Sequence, residues 1–306
     1  MDQRTSGAGA LSQKQDTAPA LLGVLCGLAA ALFWALGFAA TRHGLKVGFT
    51  PVDLLVHRYV WSGLVFLPLV FRAGISDLCG IGWSRGLVLM VLGGPVMSLI
   101  SYTGFLFVPL GHGSVIQPSC ATLGGLLLAA LVLKEHISAS RLAGAVVIVG
   151  GLGVIGAESI GHIGADGVLG DLTFVLTGLM FAGFGAALRH WRVSAVSAAL
   201  VINVLSLLLL PVYIANVGLA HVAAIGVTEN VIQALAQGVL AGPAALYLYA
   251  VSVQRLGVAR AAVFPACVPA LTLLTGWLLL GEAPTMLQGA GLVTVLCGFY
   301  LAQRQR

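Results

Sequence analysis

Ten apolar stretches, each roughly 20 residues long, fill most of this 306-residue chain. A helix of that length crosses the hydrocarbon core of a bilayer, which is about 30 Å thick. Only 8% of the residues are charged, whereas soluble domains average roughly a quarter. We therefore predict an all-α membrane protein with ten transmembrane helices in a lipid bilayer. The stretches lie at residues 20–40, 51–71, 87–108, 113–133, 142–157, 168–187, 195–215, 231–253, 258–280 and 285–302.

The second half of the chain repeats spaced residues of the first half at a constant offset of 147 positions. Matches that keep one register across long apolar runs indicate two copies of one structural unit. We predict a flexible tail at 1–19, a five-helix repeat at 20–157, a linker at 158–167 and a second five-helix repeat at 168–303. The matched residues are Pro118 and Pro265, Cys120 and Cys267, Leu133 and Leu280, Glu135 and Glu282, Gly144 and Gly291, Gly151 and Gly298, and Tyr102 and Tyr249.

Lysine and arginine are distributed unevenly between the predicted loops. If the N-terminus is cytoplasmic, the segments on that side carry twelve of these residues, and the opposite loops carry only Arg42 and Lys46. This is the positive-inside pattern of multi-pass proteins. It predicts two cytoplasmic termini in a plasma or inner membrane and an external linker. Because five helices is an odd number, the two repeats should be inverted about an axis in the membrane plane.

The same pattern accounts for the basic net charge of +5, so we expect no nucleic-acid partner. The sequence contains no H-E-x-x-H or P-loop motif. Its seven histidines are scattered, and its five cysteines form no C-x-x-C pair. We predict that the protein is not an enzyme and uses no cofactor and no metal. Gly23 and Gly27 form a G-x-x-x-G motif that serves either internal packing or a dimer, so both a monomer and a homodimer stay open.

Arg58 lies about two turns inside the second predicted helix. An unpaired charge at such a depth costs on the order of 2.5 kcal/mol or more. One interpretation is a cation that faces a central cavity and binds an anionic group of a substrate, such as a carboxylate. The others are a structural ion pair with Asp53 or Asp171, or a side chain that extends to the outer surface.

His57 precedes Arg58 and lies one helical turn after Asp53. Histidine titrates near neutral pH, so this pair is suited to a proton-coupled step. The alternative is a packed, neutral histidine, with Asp53 serving the start of its own helix. Thr50, Pro51 and Asp53 do fit a capping box with proline at the first helical position.

Prolines interrupt the fourth and ninth predicted helices at matched positions. Gln117 and Pro118 lie in one, and Pro265, Pro269 and Thr272 lie in the other. Proline removes a helical hydrogen bond, and membranes tolerate the loose backbone where neighbours or water satisfy it. Paired interrupted helices indicate a central binding site and bending points. We therefore assign the three prolines as hinges and place Gln117 and Thr272 in the substrate site, while a kink retained for packing alone remains an alternative.

Aromatic residues occur at span depth in three predicted helices. Tyr102 and Tyr249 hold equivalent positions, and a buried tyrosine requires a partner for its hydroxyl, which a polar cavity supplies. Trp34 lies near the middle of the first helix, away from the interfacial belts that tryptophan usually occupies. We place all three in the substrate site, with packing against a neighbouring helix as the alternative for Trp34.

Glu135 and Glu282 occur at equivalent helix ends followed by short loops. Such a position suits a carboxylate that orients or caps the next helix. We assign both a structural role.

Taken together, these features resemble the EamA-type transporters of the drug/metabolite transporter superfamily. The resemblance rests on the two five-helix copies, on Thr50-Pro51 followed by His57-Arg58-Tyr59, and on the repeated proline, glutamate and glycine spacing. It implies a carrier that exports or exchanges small metabolites, such as amino acids, or drugs. Arg58 matches the arginine that recurs in the family's second span. The second copy departs from this pattern, because its corresponding helix offers Asn203 and Ser206 and no arginine.

The functional hypothesis is a secondary transporter with a central cavity. It would work by alternating access, driven by an ion or substrate gradient, with protons as the expected coupling ion. The rival hypothesis is a membrane sensor or assembly factor that transports nothing.

Overall fold

The computed structural model describes residues 17–74, 76–131, 138–158, 164–256, 261 and 263–303. Within these ranges the chain forms helices and short turns, without a β-strand. A 3₁₀ turn (Ser206–Leu208) joins the helix Ala195–Leu205 to the helix Leu209–Asn216, and a π-helical segment (Ala234–Ala244) joins Val227–Gln233 to Ala245–Leu256. The α-helices are α1 (Thr17–Val47), α2 (Pro51–Ala73), α3 (Trp83–Gly93), α4 (Pro95–Gly104), α5 (Leu110–Leu131), α6 (Ala139–Glu158), α7 (Ala165–Trp191), α8 (Ala195–Leu205), α9 (Leu209–Asn216), α10 (Ala220–Ile225), α11 (Val227–Gln233), α12 (Ala245–Leu256), α13 (Val263–Leu280) and α14 (Met286–Gln303).

Apart from the short helix α10, these helices form ten units in chain order within the described ranges, which we number as spans. Spans 1 and 2 are α1 and α2, span 3 is α3 with α4, and spans 4, 5 and 6 are α5, α6 and α7. Span 7 runs from α8 to α9, span 8 from α11 to α12, and spans 9 and 10 are α13 and α14. Each predicted apolar stretch falls on one of these units.

The composition of the helices is that of a membrane protein. Six units are long and apolar enough to cross a bilayer, namely spans 1, 2, 3, 6, 7 and 8, and spans 5, 9 and 10 contain shorter apolar helices. Large apolar side chains such as Leu25, Leu64, Leu142 and Leu278 are exposed on the outside of the bundle, where lipid is the solvent that suits them. The predicted class, an all-α membrane protein, is confirmed.

The start of α2 has the predicted capping box. The Thr50 side chain accepts a hydrogen bond from the Asp53 backbone N–H at 3.2 Å, and the Asp53 carboxylate accepts one from the Thr50 N–H at 2.8 Å. Asp53 is fully buried, and its carboxylate also accepts a hydrogen bond from the Tyr213 hydroxyl at 2.5 Å. The acid therefore both caps α2 and ties it to span 7.

The repeated glycines show how the two halves are related. A Cβ atom on Gly151 would lie 2.9 Å from the carbonyl oxygen of Gly291, and one on Gly298 would lie 2.9 Å from that of Gly144. Gly144 is the equivalent of Gly291, and Gly151 that of Gly298. Early residues of span 5 thus face late residues of span 10, and the contacts are reciprocal. Spans 5 and 10 therefore run antiparallel about a local two-fold axis, as inverted repeats require.

Other contacts between helices follow the same two-fold symmetry. Span 1 packs against spans 8 and 9, while its equivalent, span 6, packs against spans 3 and 4. The backbone N–H of Leu110, at the start of span 4, donates to Glu282, just after the end of span 9. Spans 4 and 9 are equivalent, so this contact shows that they also run in opposite directions.

The G-x-x-x-G motif of span 1 serves internal packing. A Cβ on Gly23 would lie 2.8 Å from atoms of Arg255 and Leu256 in span 8, and one on Gly27 would clash with the Phe264 ring in span 9. The absence of side chains at the two glycines therefore lets span 1 approach the second repeat closely.

Two spans are broken near their centres. In span 3, Gly94 has φ −122° and ψ −141° and precedes Pro95. In span 8, Gly242 has φ −91° and ψ −107° and precedes Pro243. Both breaks lie within about two turns of the matched tyrosines, Tyr102 and Tyr249.

The breaks do not coincide with the prolines that the sequence singled out. Helix α5 continues through Pro118 and α13 continues through Pro269. Pro265 is the third residue of α13, whose described part begins at Val263. Glu135 lies outside the described residues. The hinge role of these prolines therefore stays a prediction, and the interrupted helices of the structure are spans 3 and 8.

Candidate functional site

The π-helical segment of span 8 leaves backbone carbonyls in need of donors. A π-helix pairs each N–H with the carbonyl five residues earlier. Pro243 has no N–H, so the Gly238 carbonyl loses that partner, and the non-helical torsion angles of Gly242 disturb the bond to Gln237. Buried carbonyls without partners are costly in an apolar environment. The segment therefore requires donors from a neighbouring helix.

Span 2 supplies those donors. Arg58 Nη1 donates to the Gln237 carbonyl at 2.7 Å, and Ser62 Oγ donates to the Gly238 carbonyl at 2.6 Å. The two side chains are one helical turn apart and match the two consecutive carbonyls. Gly242 brings the backbone close, because a Cβ there would clash with Ser62 and lie 3.0 Å from Arg58 Nη1. Side chains of span 2 thus supply hydrogen bonds to the carbonyls that the break in span 8 leaves without partners.

The side chain of Gln237 extends this contact to spans 1 and 3. Its Oε1 accepts a hydrogen bond from the Tyr102 hydroxyl at 2.8 Å and lies 3.4 Å from Thr41 Oγ1. Its Nε2 donates to Gln233 at 2.7 Å, and Gln233 in turn donates to the Ala40 carbonyl at 2.9 Å. Four spans therefore converge on one buried polar group. We call it the central polar cluster, made of Thr41, Arg58, Ser62, Tyr102, Gln233 and Gln237.

Arg58 carries a charge that no acid in the described part of the chain neutralises by an ion pair. The two acids considered as its structural partners are engaged elsewhere. Asp53 accepts hydrogen bonds from Thr50 and Tyr213, and Asp171 lies 2.9 Å from His112. A guanidinium has five N–H donors, and the described contacts of Arg58 use one of them on the Gln237 carbonyl. The arrangement can therefore receive an anionic group.

Trp34 and Tyr249 border the cluster as an aromatic pair. Their ring centroids are 5.5 Å apart at an interplanar angle of 57°. Trp34 precedes Gly37 and Thr41 by one and two turns on the same face of α1. Gly37 faces Ala241 of the π-helical segment, so the aromatic pair lies next to the broken part of span 8. The three aromatic residues that the sequence analysis placed in the substrate site, Trp34, Tyr102 and Tyr249, thus lie in or beside the central polar cluster.

His57 lies outside the central polar cluster. Its Nε2 is 3.0 Å from Asn230 Oδ1, and its Nδ1 accepts a hydrogen bond from Trp61 Nε1 at 3.3 Å. The Asn230 amide nitrogen donates to backbone carbonyls, so Oδ1 is the acceptor and Nε2 carries the proton. A second proton on Nδ1 would face the Trp61 donor. The geometry matches a packed, neutral histidine, and substrate binding by His57 stays a prediction.

Gln117 and Thr272 lie on spans 4 and 9. Gln117 Oε1 accepts a hydrogen bond from Ser101 at 3.3 Å, next to Tyr102 in the chain. Thr272 is fully buried, and its hydroxyl has no hydrogen-bond partner among the described residues. The described hydrogen bonds join neither residue to the central polar cluster, so their role in binding stays a prediction.

Charged residues gather at the end of the bundle where α1 ends and α5 begins, which we call the charged end. Glu282 Oε1 pairs with Arg42 Nε at 2.9 Å and with Lys46 Nζ at 2.7 Å. Glu282 Oε2 accepts the Leu110 N–H at 3.2 Å and so caps α5, rather than the helix that follows it. Arg42 also donates to the Phe105 carbonyl. One carboxylate therefore links spans 1, 4 and 9, and Arg42 adds span 3.

A cavity of about 320 Å³ opens beside this ion pair. Arg58 is not among the lining residues of this cavity. The polar residues that line the cavity are Arg42, Glu158, Glu282, Thr285 and Gln288.

Both halves of the chain match one family model, which is described as the EamA-like transporter family. The match covers residues 21–157 and 168–303. The chain belongs to the EamA-like transporter family. The resemblance stated from the sequence is thereby confirmed, and this EamA-like protein is a multi-pass membrane protein of a transporter family.

Two similar proteins extend the comparison. An "Uncharacterized transporter" of Archaeoglobus fulgidus is 24% identical over 285 residues, which cover 90% of this chain and 96% of that protein. A solved structure described as "Crystal structure of protein" has a TM-score of 0.59 and 19% identity, and the alignment covers 92% of this chain and 96% of the other. The likeness to the solved structure supports the fold alone.

Sequence reasoning missed four members of the EamA-like protein's central polar cluster, namely Thr41, Ser62, Gln233 and Gln237. Gln233 and Gln237 are spaced by four residues within an apolar run, which places them on one face of a helix. Ser62 follows Arg58 by four residues in the same way. Polar residues with helical spacing inside apolar stretches were therefore a usable signal.

The ion pair of Glu282 predicts a pH dependence of stability. Burial alone raises the pKa of this carboxyl, but the hydrogen bonds from Lys46 and Arg42, the Arg42 charge and the Leu110 N–H outweigh it, so the pKa lies below its ordinary value of 4.5. The ionised form therefore stabilises the fold above that value, and the contribution is lost as the pH falls through the lowered pKa. Hydrogen bonds to charged groups contribute about 1.5–3 kcal/mol.

We expect Glu282→Gln to lower the thermal unfolding temperature at neutral pH, and the difference from the wild type to shrink as the pH falls toward about 3. Glu229→Gln is the matched control, because Glu229 pairs with His43 at 2.8 Å in a more exposed position and its removal should cost less. A Glu282→Gln deficit that stays constant down to about pH 3 would contradict the assignment.

Proposed function

We propose that this protein is a secondary transporter that exports or exchanges a small metabolite carrying an anionic group, with amino acids as the first class to test. The observation that carries the proposal is the Arg58 guanidinium, a cation inside the bundle without an acid partner in the described structure. A charge at such a depth costs free energy, so an arginine that is kept there is a candidate for a functional role. A solute carboxylate would neutralise it with charge-assisted hydrogen bonds.

The broken spans give the proposed transporter a means of movement. Spans 3 and 8 are interrupted at Gly-Pro pairs near the central polar cluster. Discontinuous helices at the interface of inverted repeats are the elements that bind substrate and move in many carriers. Two equivalent halves can exchange conformations, which opens the cluster to each side of the membrane in turn.

The test is solute flux in proteoliposomes. We expect the purified protein to catalyse exchange of radiolabelled amino acids above the rate of protein-free vesicles, and not to exchange organic cations. Exchange of cations alone would contradict a site built on Arg58. Absence of flux across amino acids, organic acids and drugs would favour the rival, a sensor or assembly factor. That rival predicts loss of a membrane complex upon gene deletion rather than altered sensitivity to a metabolite.

Tyr102→Phe is expected to slow exchange by about 3- to 10-fold, because it removes the hydrogen bond that orients Gln237 in the central polar cluster. Initial exchange rates in proteoliposomes measure the effect. Tyr59→Phe is the matched control, since the Tyr59 hydroxyl is also buried and contacts Ser98 at the same distance of 2.8 Å, but outside the cluster. Equal losses in the two variants would show that Tyr102 acts only through stability.

A further inference from the structure

A buried histidine lies between two carboxylates at the charged end. The side chain of His112 is fully buried in α5. Its Nδ1 is 2.9 Å from Asp171 Oδ1 on span 6, and its Nε2 is 3.8 Å from Glu158 Oε2 at the end of span 5. Three titratable side chains from three helices thus form one group.

The second repeat closes this group from the other side. Glu158 accepts hydrogen bonds from Thr285 at 2.9 Å and from Gln288 at 3.1 Å, both at the start of span 10. Spans 4 and 5 belong to the first repeat, whereas spans 6 and 10 belong to the second. The charge of the group therefore acts directly on the interface between the two halves.

The cavity at the charged end borders the group at Glu158. Glu158 and Gln288 line this cavity of about 320 Å³ together with Arg42 and Glu282. Among the described residues, the charged groups near the histidine are Asp171 at 2.9 Å and Glu158 at 3.8 Å, and the Arg42–Glu282 pair lies across the cavity. Lys46 also forms an ion pair with Glu282.

We propose that His112, Asp171 and Glu158 form the proton-binding site that couples transport to a proton gradient. With a neutral imidazole and two ionised carboxylates the group carries two negative charges in a poorly solvated place, and one proton on the imidazole reduces this to one. Opposite charges within about 4–6 Å stabilise each other. Proton uptake forms one N–H bond, and release on the other side of the membrane breaks it.

The site lies between the two repeats and has no symmetry-related copy. The positions equivalent to His112 and Asp171 are Ala259 and Val24, so the corresponding pair of titratable residues is missing. One proton per transport cycle is therefore the expected stoichiometry. The coupling role rests on the proposed transport function, whereas proton binding does not.

The first experiment measures proton binding without any solute. Infrared difference spectra are recorded on the protein in liposomes between about pH 5 and pH 8, the range in which histidine changes charge. We expect the wild-type spectrum to contain an imidazole signal that disappears in His112→Gln and changes in Asp171→Asn. His43→Gln is the control, because His43 and Glu229 are a more exposed pair of similar geometry. Thermal unfolding verifies that the variants are folded.

A His112→Gln spectrum identical to that of the wild type would overturn the proposal. So would a folded Asp171→Asn variant whose imidazole signal is unchanged.

The second experiment separates coupling from transport. In proteoliposomes with a pH gradient of about one unit, one proton per solute can drive accumulation of up to about tenfold. The probe is a mixture of radiolabelled amino acids. We expect the wild type to accumulate label and His112→Gln to exchange label within about twofold of the wild-type rate without accumulation. Gradient-driven accumulation that persists in His112→Gln would overturn the coupling role. A wild type that moves no label contradicts the proposed function, while the infrared result still decides proton binding.

Discussion

Replacement of Arg58 by alanine is expected to slow solute exchange by about 100-fold or more, which corresponds to about 2.7 kcal/mol at a factor of ten per 1.36 kcal/mol. Two losses add up in this variant. The anionic group of the solute loses its cation, and hydrogen bonds to charged groups are worth about 1.5–3 kcal/mol. The Gln237 carbonyl in the π-helical segment also loses its donor, which leaves a buried polar group unpaired.

Two further variants separate these losses. Arg58→Lys keeps the charge but not the planar fork of donors, so we expect it to retain more exchange than the alanine variant. Ser62→Ala is the matched control, because it removes the neighbouring carbonyl hydrogen bond, to Gly238, and leaves the charge in place. We expect it to lower the unfolding temperature and to slow exchange by less than about tenfold. Equal exchange rates in Arg58→Ala and Ser62→Ala would show that the charge has no role in binding.

Gly151→Ala is expected to destabilise the protein by about 1–3 kcal/mol, the usual cost of overpacking a close contact. The added Cβ would meet Val295 Cγ2 at 2.7 Å and the Gly291 carbonyl oxygen at 2.9 Å. A backbone oxygen cannot relieve the clash by changing rotamer, as a flexible side chain can. Gly298→Ala should cost a similar amount, because its Cβ meets Ile148 Cγ1 at 2.7 Å and the Gly144 carbonyl oxygen at 2.9 Å.

The controls for this prediction lie in the same helix. A Cβ on Gly150 or Gly153 meets no atom within 4 Å. Alanine favours a helix over glycine by about 1 kcal/mol, so Gly150→Ala and Gly153→Ala should leave the unfolding temperature unchanged or raise it. Thermal unfolding in one detergent compares the four variants. The same shift in Gly150→Ala and Gly151→Ala would contradict the reciprocal packing of spans 5 and 10.

The sequence was sufficient to predict the architecture, because apolar length and repeat register are properties of the chain itself. The matched glycines illustrate this point. Gly144, Gly151, Gly291 and Gly298 keep one register in the sequence, and in the structure they face one another across the local two-fold axis. Their recurrence reflects the symmetry of the fold, and the capping box of α2 was equally local.

The breaks in spans 3 and 8 escaped sequence reasoning for a physical reason. Gly94-Pro95 and Gly242-Pro243 are 148 positions apart rather than 147, and the π-helical segment disturbs the register of span 8. Pro118 and Pro265 keep the offset of 147, whereas the glycine-proline pairs that interrupt the helices do not.

The partners of the charged residues were also beyond the sequence. Asp171 was considered as a partner for Arg58, but in the structure it contacts His112 on another helix. Glu282 was expected to cap the next helix, but it caps α5 and pairs with span 1. Such contacts depend on which helix ends meet in space. Periodicity and charge counts do not encode this proximity.

The central conclusion is that two inverted halves enclose one polar site. Cysteine accessibility at equivalent loops tests it most directly. Asp77 and Ala224 are exposed and separated by the repeat offset of 147. In a variant without the five native cysteines, Asp77→Cys and Ala224→Cys are treated in sealed vesicles with a membrane-impermeant maleimide. We predict that the reagent labels one of the two positions from outside and reaches the other only after the vesicles are opened. Labelling of both positions from the same side would contradict the inverted arrangement and the transport mechanism that depends on it.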